Sequence, residues 1–126
     1  MHYVDVGGVR IVPQAPAIPP TPPPDVDLEA WHRSMEVITA WRPECLAMTH
    51  WGASEEVEDQ LQQVAERLDR WAVLAREHDE QAWVQAVREE LRRDASPEVF
   101  EAYLQAVPSD QAYAGLERYW AKRAAA

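Results

Sequence analysis

The stretch Leu46-Ala47-Met48-Thr49-His50-Trp51-Gly52 decides how this chain is read. A short apolar run, Cys45 to Met48, stops at Thr-His-x-Gly, and a long helical pattern follows at once. An apolar run of this length, closed by polar and glycine positions, reads as a buried strand. Cys45 inside it reads as a buried, inert thiol. His50 then falls just past a strand's C-terminal end, where α/β proteins keep their chemistry. By spacing alone such a histidine is either structural or a ligand.

Upstream, Asp27 is placed to cap a helix that runs to about Trp41, with Pro43 ending it. Leu28, Trp31, Met35, Ile38 and Trp41 recur at helical spacing and define its apolar face, and His32 beside them reads as a half-buried packing residue. Before this helix, Pro13 to Pro24 contains seven prolines, which exclude helix and central strand. The run reads as a stiff polyproline-like connection over the surface, with a ligand for a proline-binding domain as the other reading. Met1 to Val12 reads as extended, and Gly7-Gly8 marks either a tight hairpin or a strand end. Asp5 in front of the glycines reads as a turn carboxylate.

Downstream the chain reads as almost wholly helical. Ser54 is the expected N-cap, with Glu55, Glu56 and Glu58 set against the helix dipole. Val57, Leu61, Val64, Leu68 and Trp71 form a packing stripe that carries the helix to about Arg76. Glu77-His78-Asp79-Glu80 is either a break or an exposed turn of one longer helix. Adjacent helical positions diverge, so its acidic and histidine groups do not read as a metal cluster. Trp83, Val87 and Leu91 make the next stripe, and Ser96-Pro97-Glu98 is a strong helix start. Pro108 divides that helix from a last one whose face is Ala112, Tyr113, Leu116, Tyr119 and Trp120. Helices joined by such short connections predict an antiparallel bundle.

The chain has 126 residues, enough for one domain with a modest core. Its net charge of −10 argues against nucleic acid or an anionic membrane as partner. The acids are spread along helical faces as a solvated surface rather than gathered in one tail. No apolar run approaches the roughly 20 residues that span a bilayer, and no signal-peptide pattern opens the chain. One cysteine excludes an intrachain disulfide framework and fits a reducing cytoplasm.

Taken together, Asp5-Val6-Gly7-Gly8-Val9-Arg10, the Thr21-Pro22-Pro23-Pro24-Asp25 lead, Trp31 with Ser34, and Thr49-His50-Trp51-Gly52 resemble the C-terminal part of the metallo-β-lactamase-fold hydrolases. The matched motifs lie between about Tyr3 and Arg70. The resemblance implies that Asp5 bridges two metal ions and that His50 is the last metal ligand. It also implies zinc, or manganese or iron, as the metal of the complete protein. A carboxylate between two cations offsets their repulsion. Val4 stands where the family usually has glycine, and the founding His-x-His-x-Asp-His motif is absent from this chain.

The fold expected from all this is mostly α with a small β portion. Residues 1–53 would be a partial αββα metallo-β-lactamase segment, and residues 54–126 a C-terminal helical region. The function the resemblance implies is that of the C-terminal portion of a hydrolase acting through a metal-activated hydroxide on a thioester, lactone or other ester-like small molecule. The chain alone is expected to be inactive and to hold no metal tightly, since two ligands fall short of a site. Tyr103, Tyr113, Tyr119 and the tryptophans are either core or substrate contacts. The alternative is a non-catalytic acidic helical module for assembly. The apolar faces of Trp31, Ile38 and Leu46 would need a sheet that the chain does not supply, which predicts a homo-oligomer.

Overall fold

A computed structural model describes residues 4–6, 9–11, 19, 21, 26–48, 52–106 and 109–125. For the two N-terminal strands, Met48, Gly52, Ala106 and Ser109 the description is of the backbone. The described chain is mostly helical with a small sheet. Strands β1 (Val4–Val6), β2 (Val9–Ile11), β3 (Leu46–Met48) and β4 (Gly52–Ser54) accompany helices α1 (Leu28–Trp41), α2 (Val57–Glu77), α3 (Glu80–Asp94), α4 (Pro97–Ala106) and α5 (Ser109–Ala125).

The sheet has the order β1-β2-β4-β3. β1 and β2 pair antiparallel with Val6 opposite Val9, the pairing a hairpin requires, while Gly7-Gly8 lie outside the described residues. β3 and β4 also pair antiparallel, with Met48 opposite Gly52. β2 and β4 are parallel, with Ile11 opposite Ala53. The sequence reading missed β4. Gly-Ala-Ser is too short and too small to show alternation, and its pairing with β2 is long-range. That pairing also corrects the N-cap: Ser54 ends a strand instead of opening a helix. The N-cap position of α2 is Glu56, whose N–H donates to Ser54 Oγ at 3.2 Å, and Glu58 and Asp59 fill the first turn.

α1 begins as its sequence dictates, with Ala30 N donating to Asp27 Oδ1 at 2.9 Å. It ends at Arg42 in the left-handed region, φ 50° and ψ 55°, whose N–H donates to Thr39 O at 3.2 Å. Pro43 has no N–H with which to continue the ladder. Glu77 to Glu80 is a true break. His78 is extended, and Asp79 Oδ1 accepts from Ala82 N at 2.9 Å to open α3. Ser96 Oγ accepts from Val99 N at 3.3 Å, as the Ser-Pro-Glu signature predicts.

The core lies in the helical part. Leu68, Trp71, Trp83, Val87, Leu91, Phe100, Tyr103, Leu116 and Tyr119 are buried together, with Leu28 and Met35 of α1 joining them. Each large side chain so buried stabilises the fold by roughly 1.5–3 kcal/mol. Of the residues expected to need a cover, Trp31 packs partly against this bundle, while Ile38 and Leu46 are half-buried outside its core. Two expectations give way. Cys45 precedes β3 and is exposed, not buried. Trp41 is 73 % exposed and does not join the face of Leu28 and Met35. Of the expected surface connection, the two described residues, Pro19 and Thr21, are fully buried, and the rest lies outside the described residues.

Candidate functional site

The register of the sheet fixes what its strand ends share. Val6 lies beside Val9, and Met48 beside Gly52. β2 and β4 run the same way. The C-terminal ends of β1 and β3 and the N-terminal ends of β2 and β4 therefore lie at one end of the sheet. Asp5 is in the middle of β1, opposite Arg10. His50, Thr49 and Trp51 lie outside the described residues, with His50 the second residue after Met48, the last of β3. Among the described residues no group of three or more His, Cys, Asp or Glu could hold a metal ion. A carboxylate and an imidazole are the right chemistry for zinc, but a catalytic site takes about three protein ligands and a water. Asp5 and His50, the two donors the sequence offers, are fewer than that.

Two contacts tie the segments flanking the sheet to the bundle. Thr21 Oγ1 donates to Ala112 O of α5 at 3.0 Å, a fully buried bond across the chain. From α1, Glu29 Oε1 accepts from Tyr119 Oη at 2.8 Å and from Arg123 Nη2 at 2.5 Å. Burial and the Glu29 carboxylate together push the Tyr119 hydroxyl up to about 12, against a smaller opposing pull from Arg123. α5 thereby holds both the proline-rich connection and the start of α1.

A second polar centre joins α2 to α3. Glu90 is buried and accepts from the Trp71 indole at 2.5 Å and from Arg70 Nη2. The buried Arg67 lies 3.8 Å from Glu90 through Nε, and donates to Asp94 at 2.9 Å and to Gln63 at 2.7 Å. Burial raises the Tyr103 hydroxyl well above its ordinary range, with the Arg67 charge pulling the other way. Every charge in this cluster faces an opposite one, which is the signature of a structural network. Sequence reading missed it, because Arg67, Glu90 and Asp94 look like ordinary solvent-facing helix positions.

The aromatic residues divide as core packing predicts. Trp83 Nε1 donates to Trp71 O at 2.9 Å, and the two rings meet edge to face at 6.0 Å. Trp120 Nε1 donates to Ala72 O at 2.7 Å. Tyr103, Tyr113 and Tyr119 are buried. None of these side chains lines the groove along α3, the one between α1 and α2, or the one on the outer face of α2. The groove that does open near the strand-bearing part lies between α1 and α2, a volume of about 490 Å³ with Met35 and Leu61 in its floor and Glu36 and Glu58 at its rim. His32 at its edge is half-buried and bonds Asp69 at 2.7 Å, so it joins α1 to α2. No helix among the described residues is long and apolar enough to cross a membrane. No family model, curated protein or solved structure matches the chain.

Proposed function

We propose that the chain is the C-terminal portion of a metallo-β-lactamase-fold hydrolase, contributing Asp5 and His50 to a metal site completed by other residues of a longer protein. What carries the reading is the shared sheet end. Asp5 belongs to β1, and the residue two before His50 is the last of β3, and these two outer strands of the sheet finish at its same end. A carboxylate there bridges cations, and an imidazole supplies a neutral donor. Zinc, manganese or iron, when bound, would supply an activated hydroxide and polarise an ester-like carbonyl. The chain's own part is to present Asp5 on β1 and His50 just after β3, with Thr21 and Glu29 in the segments between the strands bonded to α5. Alone, with two donors, it is expected to turn over neither thioester nor lactone.

The test is manganese(II) titration followed by amide line broadening. Selective broadening of Val6, Val9, Met48 and Gly52, lost in Asp5→Ala and in His50→Ala, is the expected result. Broadening confined to the acidic helix surfaces, or unchanged in both variants, would overturn the reading. A non-catalytic acidic interaction module is the second reading, favoured by the exposed Trp41. An in-frame His-x-His-x-Asp-His motif upstream of Met1 in the genome decides between them.

A further inference from the structure

We propose that the outward face of α1 is a two-fold interface to a second copy of this chain. α1 buries Leu28 and Met35 on one side. Its opposite side presents Arg33, Ser34, Val37, Ala40 and Trp41, all exposed. Val37 is 50 % exposed and Trp41 73 %, and with Val73 they are the large exposed hydrophobics among the described residues. At 100° per residue these positions fall within a single stripe centred on Val37. A helix with one buried stripe does not need a second apolar one for its own fold.

The occupant is read from the spacing. Arg33 precedes Val37 by four residues, and Trp41 follows it by four. Two copies of α1 laid antiparallel about a two-fold axis at Val37 bring Val37 against its equivalent. The same symmetry sets each Arg33 against the partner's Trp41, twice over. A guanidinium over an indole face is an attractive pair, and the symmetry doubles it. Ser34 falls opposite the partner's Ala40, and such small side chains let two helices approach closely. The patch is therefore complementary to itself.

Charge selects the same place. The chain carries −10, which repels a second copy over most of its surface. On α1 and its two caps, Asp27, Glu29 and Glu36 stand against Arg33 and Arg42, a net of −1, and the stripe itself carries a single charge, Arg33. A stripe free of acidic side chains on an acidic protein is where like chains can meet with little of that repulsion. The inference stands apart from the metal reading, since no metal donor takes part in it.

The test is the mass by light scattering from micromolar to millimolar concentration at moderate salt. A rise toward twice 14.4 kDa is expected. Val37→Glu is expected to hold the mass at 14.4 kDa with an unchanged helical spectrum. Arg33→Ala, which deletes two symmetry-related cation–π pairs, is expected to weaken dimerisation about tenfold. In a Cys45→Ser background, Val37→Cys should crosslink to itself on mild oxidation, a readout that survives if Val37→Glu fails to fold. A single mass across the whole range would overturn the proposal. So would a dimer that Arg33→Ala leaves intact and Val37→Cys does not crosslink, because the contact would then lie on another face.

Discussion

Replacing Glu90 by alanine is expected to destabilise the protein by about 3 kcal/mol. Glu90 is buried between α2 and α3, and its two oxygens serve different partners. Removing the carboxylate leaves the buried Trp71 Nε1–H without its acceptor, a loss of about 1–3 kcal/mol. It also strips a counter-charge from Arg67. A fully buried pair broken in this way loses about 3–5 kcal/mol, but Arg67 keeps Asp94, so the smaller part of that range applies. Arg70 is half exposed and regains water, so its share is small. For a chain of this size the total lowers the melting temperature by about 10 °C. Urea unfolding followed by tryptophan fluorescence and by circular dichroism measures it. Glu90→Gln keeps an acceptor for the indole and should lose less than Glu90→Ala. A double-mutant cycle with Trp71→Phe should show coupling of about 1 kcal/mol or more, the scale of a buried hydrogen bond. A Glu90→Ala loss under about 1 kcal/mol, or no coupling with Trp71→Phe, would mean that the carboxylate is solvated and the network reasoning wrong.

Two further outcomes are expected. Thr21→Val keeps the side-chain volume and deletes the bond to Ala112 O, so it should lower stability by about 1 kcal/mol in urea unfolding and raise amide exchange at the N-terminal end of α5. No effect on either would mean that the buried hydroxyl does not tie the connection to the bundle. Alkaline pH should unfold the protein by way of its tyrosines. Tyr119 is raised from 10.0 to about 12, and Tyr103 and Tyr113 are raised as well. The folded state therefore holds these protons after the unfolded chain has released them. Their contribution is complete below pH 10.0 and is lost as the pH climbs through the folded values. Tyr119→Phe should flatten the fall in stability between pH 10.0 and about 12, with tyrosinate absorbance reporting the titration directly. An unchanged slope in that variant would remove Tyr119 from the explanation.

The sequence by itself determined the helices. Asp27 and Ser96 cap in space as they read in order, because an N-cap bond closes over three residues and needs no distant partner. The apolar stripes from Leu68 to Tyr119 became the core for the same reason: a 3.6-residue period fixes which side chains share a face. Tertiary structure decided everything that depends on pairing. Ser54 reads as a cap and is a strand residue, because β4 exists only through its pairing with β2 and β3. Thr21 looks like part of a surface connection and is buried, because the carbonyl that accepts its hydroxyl is 91 residues away. Cys45 and Trp41 look apolar and are exposed, since their neighbours in space come from elements that local periodicity does not name. Of the candidate site, the sequence supplied the donor types and the strand that precedes His50. Only the pairing, with β2 and β4 running parallel, brings the C-terminal ends of β1 and β3 to one end of the sheet. Hydrogen bonds between distant strands set that pairing, and they leave no periodic trace in a linear sequence.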